Sequence, residues 1–79
     1  MDNQQKLVQS FVQALGIGAE QVTDELTYNT IKEWDSTAHM ILISELENTF
    51  DVMLDTDDII DMSSVGKAKE ILTKYDVQF

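Results

Sequence analysis

The sequence predicts an all-α fold: a small four-helix bundle of three main helices and one short third helix. Two observations carry that prediction. Apolar residues recur at three- and four-residue intervals in separate segments, bounded by residues that favour helix ends. No segment sustains the two-residue alternation with β-branched enrichment that a half-exposed strand needs.

The first helix is read from Leu7, Val8, Phe11, Val12 and Leu15, which place one apolar stripe on residues 3 to 15. Gly16 follows directly, where a chain leaving a helix turns left-handed. The second helix starts near Ser36 and runs to about Asp51, with His39, Leu42, Ile43, Leu46 and Phe50 on one face. The third is short: "DTDDIIDM" offers Asp55 or Thr56 as its cap and places acids in the first turn, where the helix dipole favours them. The fourth begins after Ser63 or Ser64, and Val65, Ala68, Ile71, Leu72 and Tyr75 are its expected buried stripe. A long loop, residues 16 to 34, joins the first two helices. A connection of that length without regular structure is uncommon in a compact domain and is often functional. Val22, Leu26, Ile31 and Trp34 are spaced along it to pin it to the bundle, and "GAEQVTDEL" leaves room for a short helical turn. The loop would then cross one end of the bundle and deliver Asp35 and Ser36 to an exposed corner.

Composition narrows the function. The 79 residues are expected to form one domain, residues 1–79, and a chain this short buries only roughly 60% of its unfolded surface. One modest core leaves little room for an enclosed catalytic pocket. With 43% hydrophobic residues the chain is nonetheless a folding one. It holds no cysteine, so neither disulfides nor thiolate metal sites are available. No apolar run approaches a membrane span, and the first residues lack a basic start leading into an apolar stretch. A cytoplasmic location and no membrane partner are therefore expected. Five lysines face 15 acids, for a net charge of -10. That charge disfavours nucleic acid and anionic membranes and favours basic protein surfaces. From Glu33 to Val65 the chain carries acids and not one lysine or arginine. Such a segment is either a solvated face or a steering surface for basic partners.

The chemistry concentrates at "EWDSTAHMIL", residues 33 to 42. Ser36, beside Asp35 and three residues before the lone His39, raises a serine–histidine–aspartate hydrolase. Against it stand the missing Gly-x-Ser-x-Gly elbow, the poor mutual aim of neighbours on one helix, and a domain too small for an oxyanion pocket. No catalytic residue is expected. The acid-rich segment raises calcium, but a calcium loop opening at Asp55 would have Ile59, Ile60 and Gly66 at its fifth, sixth and twelfth positions. An oxygen ligand, a glycine and a glutamate are needed there, so no metal site is read. Met40 and Ile41 fall off the main stripe of the second helix. They admit two readings: a partner contact beside Ser36, or incidental exposure and contact with the long loop.

"WDSTAHMILISELENTFDV" and "MSSVGKAKEILTKY", with the helix spacing, resemble the acyl carrier proteins, including peptidyl and other thiol-template carriers, over essentially the whole chain. The family's Asp-Ser-Leu attachment motif stands here as Asp35-Ser36-Thr37. The resemblance implies a free-standing carrier, not an enzyme, with 4'-phosphopantetheine attached to Ser36 through a phosphodiester. The arm's thiol would carry acyl or aminoacyl groups as thioesters for fatty-acid, polyketide or other specialised synthesis. It also implies partners: a phosphopantetheinyl transferase using coenzyme A and magnesium, an acyl- or aminoacyl-loading ligase, and synthase or transferase enzymes with basic docking patches. A monomer is expected. Asp35 would cap the helix and help engage the transferase. Thr37, Met40, Ile41, Glu45, Glu47, Asp57 and Asp58 would form the partner surface. Thr37 departs from the usual leucine, which puts that residue's apolar contacts with arm or partners in doubt. Trp34 is bulkier than the residue often found there and is read as an anchor for the loop. The alternative is an acidic helical interaction module without a prosthetic group, in which Ser36 only caps a helix.

Overall fold

The computed structural model describes residues 1–79 and contains four α-helices and no strand. Helix α1 spans Asn3–Leu15. It opens on a reciprocal cap: the Asp2 carboxylate accepts from Gln5 N at 2.8 Å, and the Gln5 side chain accepts from Asp2 N at 3.1 Å. It closes at Gly16, whose φ of 67° is the left-handed turn expected of glycine there. Helix α2 spans Ser36–Phe50 and ends at Asp51, also left-handed at φ 54°. A short polar side chain tolerates that conformation better than a branched one. Helix α3, Thr56–Asp61, and helix α4, Val65–Thr73, complete the set. Of the two serines before α4, Ser64 is the cap, accepting from Lys67 N at 2.9 Å.

The sequence stripes become the core. Leu7, Phe11 and Leu15 of α1 meet Leu42, Ile43 and Leu46 of α2 and Val65, Ala68, Ile71 and Leu72 of α4 in one cluster with Trp34. His39 and Phe50 sit half-buried at the edges of the α2 face. Tyr75 lies past the end of α4, in the turn that follows it.

Residues 16 to 34 are less irregular than the sequence suggests. Ala19–Gln21 form one turn of 3₁₀ helix, and Ile17, Val22 and Trp34 are buried. The loop is also tied by its backbone to the start of α4. Tyr28 N donates to Ser63 O at 2.8 Å, Val65 N to Leu26 O at 3.0 Å and Gly66 N to Asp24 O at 3.1 Å, with an isolated bridge between Thr27 and Ser64. Periodicity cannot signal these bonds, because they join backbone groups whatever their side chains. Gly66 permits the approach: a Cβ there would lie 3.2 Å from Asp24 O. Lys69 reinforces the seam with an ion pair to Asp24 at 2.7 Å. No helix is long and apolar enough to cross a membrane.

Candidate functional site

The loop's attachment to α4 delivers Trp34 into the core and leaves the next residues outside. Trp34 is fully buried, its ring edge-on to Phe11 at 5.4 Å between centroids. Asp35, Ser36 and Thr37 are exposed. The Asp35 carboxylate accepts from Ala38 N at 2.9 Å, and its carbonyl accepts from His39 N at 2.8 Å. Capping therefore belongs to Asp35, and the Ser36 hydroxyl is not used for it. The amides of Ser36 and Thr37, in the first turn, have no acceptor within the helix.

Ser36 has one side-chain partner, Tyr28. Their hydroxyls lie 2.9 Å apart, and either can donate. Tyr28 is the site residue that sequence reasoning missed. It sits eight positions upstream in the loop, with no periodic relation to Ser36, and only the loop's tie to Ser63 brings it across. Its ring stands edge-on to Trp34 at 6.1 Å and to His39 at 5.2 Å.

His39 is a strut. The Trp34 indole Nε1–H can only donate, and it lies 3.0 Å from His39 Nδ1. Nδ1 is therefore the acceptor, which leaves the ring proton on Nε2, donated to Ile59 O at 2.9 Å. Both nitrogens are engaged, one toward the core and one toward α3. Neither is placed to take a proton from Ser36, so the arrangement lacks the serine–base contact a hydrolase requires.

Between α2 and α3 lies a groove of about 380 Å³, opening at Ser36. Tyr28 and His39 form one part of its wall and Met40, Ile59, Ile60 and Met62 the apolar remainder. No periodicity announces this groove, because it forms between α2 and α3 and not along one helix face. Met40 and Ile41 are 56% and 51% exposed, and Met40 shares the groove lining with Tyr28 of the long loop. Ile60, 76% exposed, extends the apolar surface around the groove mouth.

The acids divide. Asp57 is exposed on α3 and Glu45 half-buried on α2. Glu47, expected on the partner surface, instead turns along the chain and accepts from Leu54 N at 2.9 Å, bracing the α2–α3 connection. Asp58 is a correction too. The family resemblance implies a place on the partner surface, but Asp58 is 7% exposed and is bonded to Lys74 and Tyr75 at the end of α4. There it accepts from Lys74 Nζ at 2.5 Å and from the Tyr75 hydroxyl at 2.6 Å. Those bonds, Lys74's first and Tyr75's second, hold the Asp58 carboxyl below its ordinary 3.8 despite burial. They raise Lys74 and Tyr75 above theirs. Both carboxylate oxygens are thus engaged within the fold. Asp55, the cap of α3, makes no side-chain capping bond, and its N–H donates to the Tyr75 hydroxyl at 3.1 Å. No group of three or more histidine, cysteine or acidic side chains gathers as a metal site. No protein-family model matches the chain.

Proposed function

We propose that the chain is a carrier protein: Ser36 takes a 4'-phosphopantetheine arm, and cargo on that arm passes between separate biosynthetic enzymes in the cytoplasm. One observation carries the reading. Ser36 is an exposed hydroxyl at the first position of a helix, relieved of capping by Asp35 and opening onto an apolar groove.

The residues present suit the group. A phosphodiester at Ser36 would meet the unpaired first-turn amides and the positive end of the α2 dipole. When attached, the arm supplies a thiol that holds acyl or aminoacyl groups as thioesters. Ser36 needs no activation, since a phosphopantetheinyl transferase brings coenzyme A, magnesium and the catalytic groups. His39, with both nitrogens engaged, has no part in that step. Loading ligases and synthases would be drawn by the net charge of -10, and Thr37, Met40, Ile41, Glu45 and Asp57 remain free to meet basic patches that have apolar centres.

Incubation with coenzyme A, magnesium and a broad-specificity phosphopantetheinyl transferase tests this by intact mass. One arm is expected on the native chain and none on Ser36→Ala. A native chain that stays unmodified beside a loaded control carrier refutes it. The exposed Met40, Ile41 and Ile60 would then favour the acidic interaction module.

A further inference from the structure

Tyr28 is held at its backbone, its ring and its hydroxyl. Its N–H is bonded to Ser63 O, its ring is wedged edge-on against Trp34 and His39, and its hydroxyl stands 2.9 Å from Ser36 Oγ at the groove mouth. Resting on the reading of Ser36 as the attachment point, we propose that Tyr28 is a positioning residue for the phosphodiester. It fixes the root of the arm on the groove side of α2.

The argument is one of protons. In the unmodified chain either hydroxyl of the pair can donate. Attachment forms a bond from Ser36 Oγ to phosphorus, breaks the phosphorus–oxygen bond to coenzyme A so that adenosine bisphosphate leaves with that bond's electron pair, and passes the serine proton to a base of the transferase. The Tyr28 O–H is then the only proton left between the two side chains, so the direction of the bond is set. The charge of a phosphodiester lies on its two non-bridging oxygens, one bond beyond Ser36 Oγ and within a small shift of the phenol. Hydrogen bonds to charged acceptors are shorter and about twice as strong as neutral ones. Tyr28 therefore gains a better acceptor by the modification. The ring cannot follow a diester that swings toward Thr37 and Ile41, because Trp34 and His39 confine it. A diester held by this phenol stays beside Met40 and the α3 wall. Ser36 and Tyr28 are thus a matched pair, in which the loop residue selects the direction the serine's cargo takes.

The test loads native chain and Tyr28→Phe with the same transferase and first confirms one arm on each by mass. Phosphorus NMR of the loaded chains then reads the diester. In Tyr28→Phe the resonance is expected to move and its line to narrow as the diester gains freedom, and thiol alkylation of the arm to speed up. The melting temperature should stay close to native, since the ring contacts are kept. Unchanged shift and linewidth overturn the proposal. A measurement needing no variant runs beside it: a proton–phosphorus Overhauser effect from the Tyr28 ring in the loaded native chain, whose absence also overturns it. Failure of the native chain to take the arm removes the attachment reading itself, and mass shows this before any spectrum is recorded.

Discussion

His39→Phe separates a structural histidine from a catalytic one, and its cost follows from two hydrogen bonds. Phenylalanine keeps a ring in place to stack on Trp34, now at 6.1 Å and 24°, and to meet Tyr28 edge-on. What disappears is the acceptor for Trp34 Nε1–H and the donor to Ile59 O. Trp34 is fully buried, so its N–H finds no water, and an unsatisfied buried donor costs about 1–3 kcal/mol. Ile59 is only half-buried, and the lost bond to its carbonyl adds about 1 kcal/mol. The sum is about 2–4 kcal/mol. A chain of this size is stable by about 4–12 kcal/mol, so the loss is a large fraction of the whole. It should lower the melting temperature by at least about 8 °C. Urea unfolding followed by circular dichroism gives the free energy, and fluorescence of the single tryptophan reports the local change. In a double-mutant cycle with Trp34→Phe, the two losses should fall short of adding, because each variant breaks the same bond. A His39→Phe variant within about 0.5 kcal/mol of native would refute the strut, since that is the range of changes that touch no such feature. If Ser36 carries the proposed arm, the variant should still accept it below its melting temperature.

Asp35→Ala should cost about 1 kcal/mol in urea unfolding, because Ala38 N loses its cap, and a loss indistinguishable from zero would show that another group takes that amide. Asp58 contributes stability that is complete above its ordinary 3.8 and is lost as pH falls through its lower folded-state value; native melting temperature should therefore fall more steeply below pH 3.8 than that of Asp58→Asn. On the alkaline side, Lys74 and Tyr75 are raised, so their contribution is complete below 10.0 and is lost above it, again with a smaller change in the variant. Added salt or magnesium should raise the melting temperature by screening the net charge of -10, although it weakens the three lysine–aspartate pairs; a flat or falling response would show that the pairs outweigh the repulsion.

The helices were legible because their cause is local. A stripe such as Leu7, Phe11 and Leu15 needs only a 3.6-residue period, and Gly16 marks its end by its own backbone preference. Asp35 and Ser36 were legible for the same reason, as a cap and the residue after it. Tyr28, the groove and the inward turn of Asp58 were not. Each depends on where two elements distant in sequence come to rest, which no period or spacing records. His39 lay between the two cases. Its place on the apolar face predicted packing, but its bonds to Trp34 and Ile59 O required the third helix to be in position.

That third helix explains why the groove holds its shape. Six residues are too few for a helix to persist on its own propensity, since nucleation is unfavourable and few bonds follow it. Leu54 and Met62 bury their side chains on either side of α3, while within the helix Ile59 is half-buried and Ile60 exposed. Beside the bond from Asp55 N to the Tyr75 hydroxyl and the Asp61–Lys67 pair, three side-chain contacts add to this burial: His39 Nε2 to Ile59 O, Glu47 to Leu54 N, and Asp58 to Lys74 and Tyr75. Two of them come from α2 and one joins the chain beyond α4, so they fix α3 against both neighbours. The acids read from sequence as a partner surface thus serve in part to hold the wall that faces Ser36. Loosening any one contact should widen the groove while the α1, α2 and α4 core stays packed, because none of the three reaches into that core directly. Only His39 also touches it, through Trp34. The wall is also coupled to the core by packing, since Met62 lines the groove and is itself buried in the core cluster with Leu54. The Trp34–His39 hydrogen bond is thus the polar part of a coupling that is otherwise apolar.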